Sequence, residues 1–367
     1  MDDLMLWAQN EGVELQGIRV TRIPGRGMGV VATRDIEEGT VVMTIPIHII
    51  RSLHTLPQSI SEMLPPDMSI QGLLAAQLAL RDEGVNHLLG VMPDMEGMEE
   101  ALPFMWPGEL QDMLPSEAKT ILAQKQTSFN SDWSMFHSSF PDTSQQQYRY
   151  AWFLVNSRTF YYETPETMLY PWHDRLALLP VADMFNHADV GCSVSYSTDG
   201  YNITADRAYS TGQELYTSYG KHSNDFLLAE YGFMTQDNRW DRICLEDYIV
   251  PRLSARQHAL LEEQDRLTGF MLHKVQASNA DLWFALRLLS SASLTTWKSF
   301  DSGEEDGEGT LEKARNLLKM LLMEYMDHIK HRKRDLQTIK VGTESQRQVL
   351  AQRWEQVEEM AKEALML

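Results

Sequence analysis

Cysteine is scarce in this sequence, with only Cys192 and Cys244 among 367 residues. Two cysteines cannot form a disulfide framework or a zinc site made of cysteine alone, so we expect a reducing compartment. Long apolar runs are lacking as well. Because the stretch MDDLMLWAQNEG has neither a positively charged start nor a long apolar segment, we expect neither secretion nor membrane insertion.

Positive charge is also in short supply. The chain has 32 lysine and arginine residues against 52 aspartate and glutamate residues, which gives a formal net charge of −20. Nucleic-acid binding depends on cations that neutralise phosphates, so a nucleic-acid partner is not expected. The acidic balance favours solubility and is compatible with a basic protein partner. Hydrophobic residues make up 43% of the chain, which is enough for cores in about two domains.

Several common catalytic motifs are missing. The segment GRGMG at 25–29 lacks the second spacing of the G-x-G-x-x-G dinucleotide motif, and a predicted strand follows it, so it is either a tight turn or a ligand loop. No G-x-S-x-G elbow supports a nucleophilic hydrolase. Asp183, His187 and His173 are candidate metal ligands, but no H-E-x-x-H or cysteine–histidine pattern supports them, and no metal is expected.

Two polar clusters do occur within apolar sequence between residues 176 and 233. A buried polar group without a partner costs about 1–3 kcal/mol, so these side chains are predicted to belong to a site. Hydroxyls, amides and aromatic rings without a nucleophile of their own suit transfer between two bound substrates, where positioning supplies most of the acceleration. The two clusters are Asp183, Asn186 and His187, and Tyr219, Asn224 and Tyr231.

Hydrophobic periodicity predicts a β-rich first half and a helical second half. Strands are expected in the N-terminal sequence after Gly12, and again at 192–197 and 201–205 around a turn at 198–200. Residues 91–147 are read as helical with long loops, and 299–309 as an acidic connection. Helices are predicted over residues 2–10, 70–81, 145–158, 223–231, 254–268, 281–292, 310–331 and 344–364.

Four motifs occur in a fixed order over residues 14–233: GRGMGVVATRDI, NSRTF, LLPVADMFNH and LYTSYGKHSNDFLLAEYGF. In this order they resemble SET-domain methyltransferases of the Rubisco large-subunit methyltransferase-like class. The resemblance implies an α+β fold, in which a β-rich SET fold with a pseudoknot and a helical insertion precedes an all-α domain. The implied domains are a catalytic domain at 1–235, with the insertion at about 52–150, and a helical substrate-binding domain at 236–367.

The same resemblance implies S-adenosylmethionine as the methyl donor and indicates which residues bind it. Arg158 resembles the arginine that pairs with the cofactor carboxylate through a charge-assisted bond. Asn186 and His187 resemble the pair that fixes the amino group and the adenine. The other implied contacts are the backbone of Arg26, Gly27 and Met28 with the methionine part, and Phe233 beside the adenine.

Tyr219 resembles the catalytic tyrosine of the family, which also contacts the cofactor. The target amine reacts only when deprotonated, although a free lysine has a pKa of about 10.4. An apolar channel and a neighbouring sulfonium cation both lower that pKa. Tyr219 would then orient the amine and stabilise the methyl group in transfer, which is a positioning and electrostatic role.

Two aromatic residues favour lysine as the acceptor. Related actin-histidine methyltransferases have an asparagine at the position of Phe160 and lack the tyrosine that corresponds to Tyr231. Here both positions would form an aromatic wall around an aliphatic stem. Asp183 and Tyr196 either face the substrate amine or cap a strand.

The resulting hypothesis is a protein-lysine N-methyltransferase that acts as a monomer on a protein substrate in the cytoplasm or the nucleus. The family resemblance implies a non-histone substrate, because the chain lacks the cysteine-rich flanks of dedicated histone enzymes. One alternative is a protein-histidine methyltransferase of the same fold. Another is a non-catalytic SET module that binds a protein partner, although a pure binder has no need of the residues assigned to the cofactor.

Overall fold

A computed structural model of the chain describes residues 2–80, 92–197, 200–274, 280–291 and 308–366. Contacts within the chain divide it into two compact units. The first comprises Met1–Met98 and Gln124–Lys221, and the second comprises Glu99–Ala123 and His222–Leu367. The described residues combine β-sheets with many helices, so the predicted α+β class is confirmed. The predicted boundary at residue 235 separates domains by their roles, and it stays a prediction.

A seven-stranded sheet forms the centre of the first unit, with the order β1-β4-β9-β8-β10-β3-β2. Neighbouring strands are antiparallel except β8 and β10, which run parallel. Strand β2 alternates buried Ile18 and Val20 with exposed Arg19, as expected for a strand with one face on the core. The strands are β1 Glu14–Leu15, β2 Ile18–Ile23, β3 Gly27–Ala32, β4 Val41–Ile45, β8 Asn186–Ser197, β9 Gly200–Thr204 and β10 Glu214–Thr217.

The pairing of β8 with β10 contains a large shift of register. Tyr216 lies opposite Asn186, whereas the next residue, Thr217, lies opposite Cys192. A Cβ atom at Gly191 would lie 2.5 Å from the backbone oxygen of Tyr216. The close approach of the two strands therefore requires a glycine at position 191.

A smaller sheet and a helix pair complete the first unit. The sheet has the order β5-β7-β6, formed by Arg51–Ser52, Leu176–Leu178 and Thr159–Tyr161. Helix α1 is Asp2–Asn10, α2 is Gln58–Ser61 and α3 is Ile70–Ala79. Helix α3 packs against Gln145–Arg158, and the hydroxyls of Ser69 and Ser144 cap the two helices. Since the second helix ends at Arg158 and β6 begins at Thr159, Arg158 lies at a helix-to-strand junction.

The second unit is mainly helical. A two-stranded sheet of β11 Arg242–Cys244 and β12 Met271–His273 lies beside helices that share one apolar core. Helices α4 and α6 extend across the division between the units, at residues 98/99 and 123/124. The helices after α3 are α4 Met95–Ala101, α5 Gly108–Gln111, α6 Ser116–Ser139, α7 Gln145–Arg158, α8 Asn224–Tyr231, α9 Glu246–Ile249, α10 Ala255–Glu263, α11 Ala280–Ser290, α12 Glu308–Thr338 and α13 Glu344–Leu365.

Some predicted elements differ from the structure or lie outside it. The helix predicted at 254–268 ends at Glu263, because the chain turns at Asp265, whose φ is 54°. The helix predicted at 310–331 is longer and continues to Thr338. Thr198 and Asp199 of the turn predicted at 198–200, and most of the acidic connection at 299–309, are outside the described residues. Within the described ranges, no helix combines the length and apolar character needed to cross a membrane.

Candidate active site

Asn186, at the start of β8, is bonded to the glycine-rich loop. Its Nδ2 atom donates to the backbone oxygen of Met28 at 3.0 Å and to Oε1 of Glu214 at 2.7 Å. Gly29 lies under this contact, since a Cβ there would be 3.0 Å from Nδ2 of Asn186 and 2.5 Å from Ile23. The structure thus brings the predicted glycine loop and the predicted asparagine together.

Arg26 and Gly27 belong to the same cluster. The guanidinium of Arg26 donates to Oε2 of Glu214 and to the hydroxyl of Tyr216, both at 3.0 Å, and the hydrogen bond to Tyr216 raises the pKa of Arg26. Gly27 adopts a φ of 77° where β3 begins, a conformation that favours glycine. The backbone of this loop consequently lies beside Asn186, while the Arg26 side chain is held by acidic and phenolic oxygens.

Glu214 was not singled out by the sequence, although it joins both groups. Its carboxylate accepts hydrogen bonds from Asn186, Arg26 and Tyr216. The available signal was its place two residues before Tyr216 in a strand, which puts both side chains on one face. That signal does not identify partners 28 and 188 residues away in the sequence.

His187 and Tyr219 are held together by a hydrogen bond and a contact between their rings. The backbone N–H of Tyr219 donates to Nδ1 of His187 at 3.0 Å, and the two ring centroids are 5.1 Å apart. Because Nδ1 accepts this bond, a neutral His187 carries its proton on Nε2. The hydroxyl of Tyr219 donates to the backbone oxygen of Phe185 at 2.8 Å. Burial raises the pKa of Tyr219 to about 12, so this hydroxyl is protonated at neutral pH.

Arg158 and Asp183 form an ion pair at the side of a small buried pocket. The Arg158 guanidinium donates to the backbone oxygen of Asp183 at 3.1 Å and to Oδ2 at 3.2 Å. Burial raises the pKa of Asp183, and the charge of Arg158 opposes that shift. Within the described residues, Nε of Arg158 and Oδ1 of Asp183 are buried without a hydrogen-bond partner. Leu154, Leu178 and Leu179 line the same pocket, so the ion pair lies beside a largely apolar surface.

The turn that carries Asp183 is strained. Val181 is buried and has a φ of 73°, which is rare for a β-branched residue and costs about 1–3 kcal/mol. The 3₁₀ turn Ala182–Met184 follows directly and directs both the carbonyl and the carboxylate of Asp183 towards Arg158. Such strain is typical of sites where geometry matters more than local stability.

Phe160 and Tyr196 lie at the edge of the core of the first unit. Phe160 pairs with Ala177 in the three-stranded sheet, and Tyr196 pairs with Tyr201 in the large sheet. The Tyr196 ring meets the ring of Tyr162 edge-on, with centroids 6.5 Å apart. Both residues are partly buried against the core. Their predicted contact with a substrate stays a prediction, as does that of Asp183.

Tyr231 and Phe233 belong to the second unit, where their ring centroids are 6.1 Å apart. Tyr231 is the last residue of α8, and Gly232 ends that helix with a φ of 77°. Asn224 donates to the backbone oxygen of Thr235 and to Gln356, and it accepts from the backbone of Thr235. Asn224 is thus bound by partners of its own unit, whereas Tyr219 of the same predicted cluster belongs to the first unit.

The charged and phenolic groups of the first unit act on one another electrostatically. The charges of Arg158, Asp183 and Glu214 all influence the pKa of Tyr219. Among the residues that the structure describes, no three acidic, histidine or cysteine side chains are arranged to hold a metal ion. The first unit therefore offers hydrogen-bond donors, a half-buried cation and a protonated hydroxyl, which suit binding and orientation of a polar ligand.

Comparison with known proteins gives one family match and several relatives. The family model described as the SET domain matches residues 27–220. The ribosomal lysine N-methyltransferase set11 of Schizosaccharomyces pombe is 25% identical over 66% of this chain and 63% of its own length. SET domain-containing protein 4 of Mus musculus is 24% identical over 95% of this chain and 86% of its own. The human actin-histidine N-methyltransferase is 26% identical over 66% of this chain, which spans 43% of that protein.

Solved structures show the same fold. The SET domain of LSMT bound to lysine and AdoHcy aligns with a TM-score of 0.69 and 17% sequence identity. The alignment covers 99% of this chain and 90% of that one. A structure of Rubisco LSMT bound to AdoMet aligns with a TM-score of 0.66, again at 17% identity, over 100% of this chain and 92% of that one.

Proposed function

We propose that this chain, which belongs to the SET-domain family, transfers a methyl group from S-adenosylmethionine to a lysine side chain of a protein. The observation that carries the proposal is the cluster within the matched residues, where Asn186 is hydrogen-bonded to the glycine loop and His187 is hydrogen-bonded to Tyr219. These are the residues whose motifs resembled the Rubisco methyltransferase-like class. Family membership supports protein methyl transfer, and lysine as the acceptor is the finer part of the proposal.

The residues present fit S-adenosylmethionine. Its carboxylate requires a cation with a spare donor, and Arg158 has a buried Nε without a hydrogen-bond partner in the described residues. Its amino group requires backbone or amide acceptors, which the segment at Asn186 and His187 supplies. The glycine-rich loop at 25–29 leaves backbone groups accessible to the methionine part. Rubisco LSMT, whose fold is similar, has been solved with AdoMet.

When bound, the cofactor supplies an electrophilic methyl group. Arg158 holds the carboxylate, and Asp183 in turn holds Arg158 in place. Tyr219 keeps its proton and donates it to the backbone oxygen of Phe185, so the lone pairs of its hydroxyl are available as acceptors. An acceptor of this kind orients a neutral amine without competing as a nucleophile.

Lysine is proposed as the acceptor because Phe160 replaces the asparagine expected for an imidazole, and because Tyr231 is present. The runner-up is histidine, and the 26% identity to the human actin-histidine N-methyltransferase supports it. The relative from Schizosaccharomyces pombe is named as a lysine enzyme. The two acceptors differ in product, because only a lysine substrate yields methyllysine after complete hydrolysis.

The test is a calorimetric titration with S-adenosylmethionine, followed by product analysis. Wild-type protein is expected to bind, and Arg158→Ala and Asn186→Ala are expected to lose binding. Arg19→Ala, an exposed arginine of β2, is the matched control and should bind as the wild type does. Retained binding in both site variants would overturn the assigned cofactor residues.

Product analysis identifies the acceptor. Cell extract is incubated with isotope-labelled S-adenosylmethionine and the protein, then hydrolysed to amino acids. Label in methyllysine is the expected result, whereas label in methylhistidine would favour the runner-up. Cofactor binding without any labelled product in any extract would favour a module that binds a partner without turnover.

We further propose that the protein acts as a monomer on a non-histone protein in the cytoplasm or the nucleus. The predicted roles, catalysis at 1–235 and substrate binding at 236–367, belong to the same proposal. The acidic net charge supports a protein partner over a nucleic acid. Light scattering on a sizing column checks the monomer, since a dimer would double the measured mass.

A further inference from the structure

An open groove lies in the second unit, apart from the residues discussed so far. It has a volume of about 260 Å³ and lies between α11, α12, α13 and the end of β12. Its apolar surface comes from Leu272, Trp283, Leu318 and Met360. Leu318 and Met360 are buried in the core beneath, whereas Trp283 is only partly buried. The groove therefore presents the partly buried indole of Trp283 above an apolar floor formed by Leu318 and Met360. This arrangement is typical of a site for a large apolar side chain.

Positive side chains surround this floor. Lys274, Arg315 and Lys319 line the groove and are exposed, and His273 lies next to Lys274. Arg315 and Lys319 are four residues apart on α12, so they project from one face of that helix. Within the described residues, no ion pair engages Lys274, Arg315 or Lys319. Burial lowers the pKa of Arg287, and the charge of nearby Arg315 lowers it further.

This group of positive side chains is unusual for a chain with a net charge of −20. Some described cations of the second unit pair with carboxylates, as Arg252 does with Glu324 and Lys333 with Glu358. Among the described residues that line the groove, Glu363 is the one carboxylate. Unpaired cations around an apolar floor complement a ligand with negative charges and an apolar anchor.

We propose that this groove binds an acidic segment of a partner protein, with a large apolar side chain of that segment packed against Trp283. The cations would contact carboxylates on either side of the anchor. Nucleic acid fits less well, because a phosphate backbone needs a longer basic surface and the remaining charge of the chain repels it. The groove lies within residues 236–367, the region proposed to bind the substrate, and the binding itself requires neither the methyl donor nor the residues of the first unit.

The test measures binding of a probe peptide to the full chain by fluorescence anisotropy, without S-adenosylmethionine. The probe is a short fluorescein-labelled peptide of alternating glutamate and serine with one central phenylalanine. The expected result is saturable binding that weakens as salt is added, because the cations are exposed. A second probe with serine in place of phenylalanine should bind more weakly by roughly tenfold or more.

Variants of α12 locate the binding. Lys319→Glu is expected to weaken binding of the phenylalanine probe by roughly tenfold or more. Lys313→Glu is the matched control, since it makes the same charge change at an exposed position of the same helix that does not line the groove. Thermal melting of both variants checks that each remains folded. Equal affinity of the two variants for the probe would overturn the proposal.

A single-stranded oligouridylate of similar length tests the other class of partner. We expect it not to compete with the peptide. Competition by the oligouridylate that Lys319→Glu abolishes and Lys313→Glu does not would replace the peptide proposal with nucleic-acid binding. Absence of any peptide binding would overturn the proposal and leave the proposed methyl transfer unaffected.

Discussion

The side chain of Tyr219 is held by the segment that precedes and includes His187. Its hydroxyl donates to the backbone oxygen of Phe185, its backbone N–H donates to His187, and its ring lies beside the His187 ring. All of these partners are more than thirty residues away in the sequence. The position of the hydroxyl is therefore fixed by distant parts of the fold rather than by the residues next to Tyr219 in the sequence, as a positioning group requires.

Replacement of Tyr219 with phenylalanine removes only that hydroxyl. We expect the rate of methyl transfer to fall by about 100-fold, because one preorganised polar group is lost at the reacting atoms. Binding of S-adenosylmethionine should be retained, since the backbone bond to His187 remains. Steady-state kinetics and calorimetry measure the two effects separately. An unchanged rate would show that the hydroxyl has no role in the reaction.

The titration of Tyr219 offers a second test at this residue. Burial raises its pKa to about 12 in the folded state, above the usual 10.0 of a tyrosine, so the folded protein holds the proton more tightly. The resulting stabilisation is present below pH 10 and is lost as the pH rises towards 12. The ultraviolet absorbance difference between the wild type and Tyr219→Phe should therefore show tyrosinate formation near pH 12. Formation near pH 10 would mean that the hydroxyl is exposed to solvent.

Among the elements, the crossing of β8 and β10, by which we mean their parallel pairing with its shift of register, brings Asn186 and His187 close to Tyr219. The crossing depends on Gly191, because the backbone oxygen of Tyr216 in β10 lies against the backbone of this glycine. Asn186 and Tyr216 are paired directly in this crossing, and Glu214 on the same strand accepts a bond from Asn186. One glycine thus supports contacts on both sides of the candidate site.

Substitution of Gly191 with alanine should separate the two strands. A Cβ there would meet backbone atoms, which cannot move without shifting β10, so we expect a loss of about 1–3 kcal/mol in the free energy of unfolding. The affinity for S-adenosylmethionine should fall as well. Gly108→Ala is the control, because a Cβ at Gly108 meets nothing within 4 Å. Urea denaturation compares the two variants, and equal stability would contradict the role of the crossing.

The sequence predicted single elements better than their partners. The helix at 145–158 was predicted with its observed bounds, because Tyr148, Trp152 and Val155 recur at helical spacing. Asn186 and Tyr219 were identified through their motifs. Glu214 was missed, since strand periodicity assigns a face but not a partner in another strand. The conformation of Val181 was also missed, because nothing in the local sequence suggests a positive φ at a valine.

For the whole molecule, the largest gap in the prediction concerns buried charge. Arg353 is fully buried and donates to Asp225 at 2.7 Å and to Asp241 at 2.6 Å, more than a hundred residues away. Periodicity places Arg353 on a helix but does not reveal that its face is buried against two carboxylates. The three residues connect α8, the start of β11 and α13 within the second unit. One guanidinium shared by two carboxylates leaves a buried negative charge, and burial raises the pKa of Asp225 to about 6.

Substitution of Arg353 with leucine should therefore destabilise the chain strongly and in a pH-dependent way. At pH 7 two buried carboxylates lose their cation, which costs about 3–5 kcal/mol. The pKa of Asp225 is raised from 3.8, so the folded state binds the proton of Asp225 more tightly than the unfolded chain does. The stabilisation of the folded state that comes from this proton is lost as the pH rises through 6. Removal of Arg353 should raise the pKa of Asp225 further, because the positive charge of Arg353 lowers that pKa.

Unfolding in urea at pH 5 and pH 7 measures the effect. The decrease in the free energy of unfolding caused by Arg353→Leu should be smaller at pH 5, because Asp225 is protonated there and no longer needs a cation. Arg252→Leu is the matched control, since Arg252 pairs with Glu324 at the surface and an exposed pair contributes about 0–1 kcal/mol. A loss in Arg353→Leu that is as small as in the control, or larger at pH 5 than at pH 7, would contradict a buried charge cluster in the second unit.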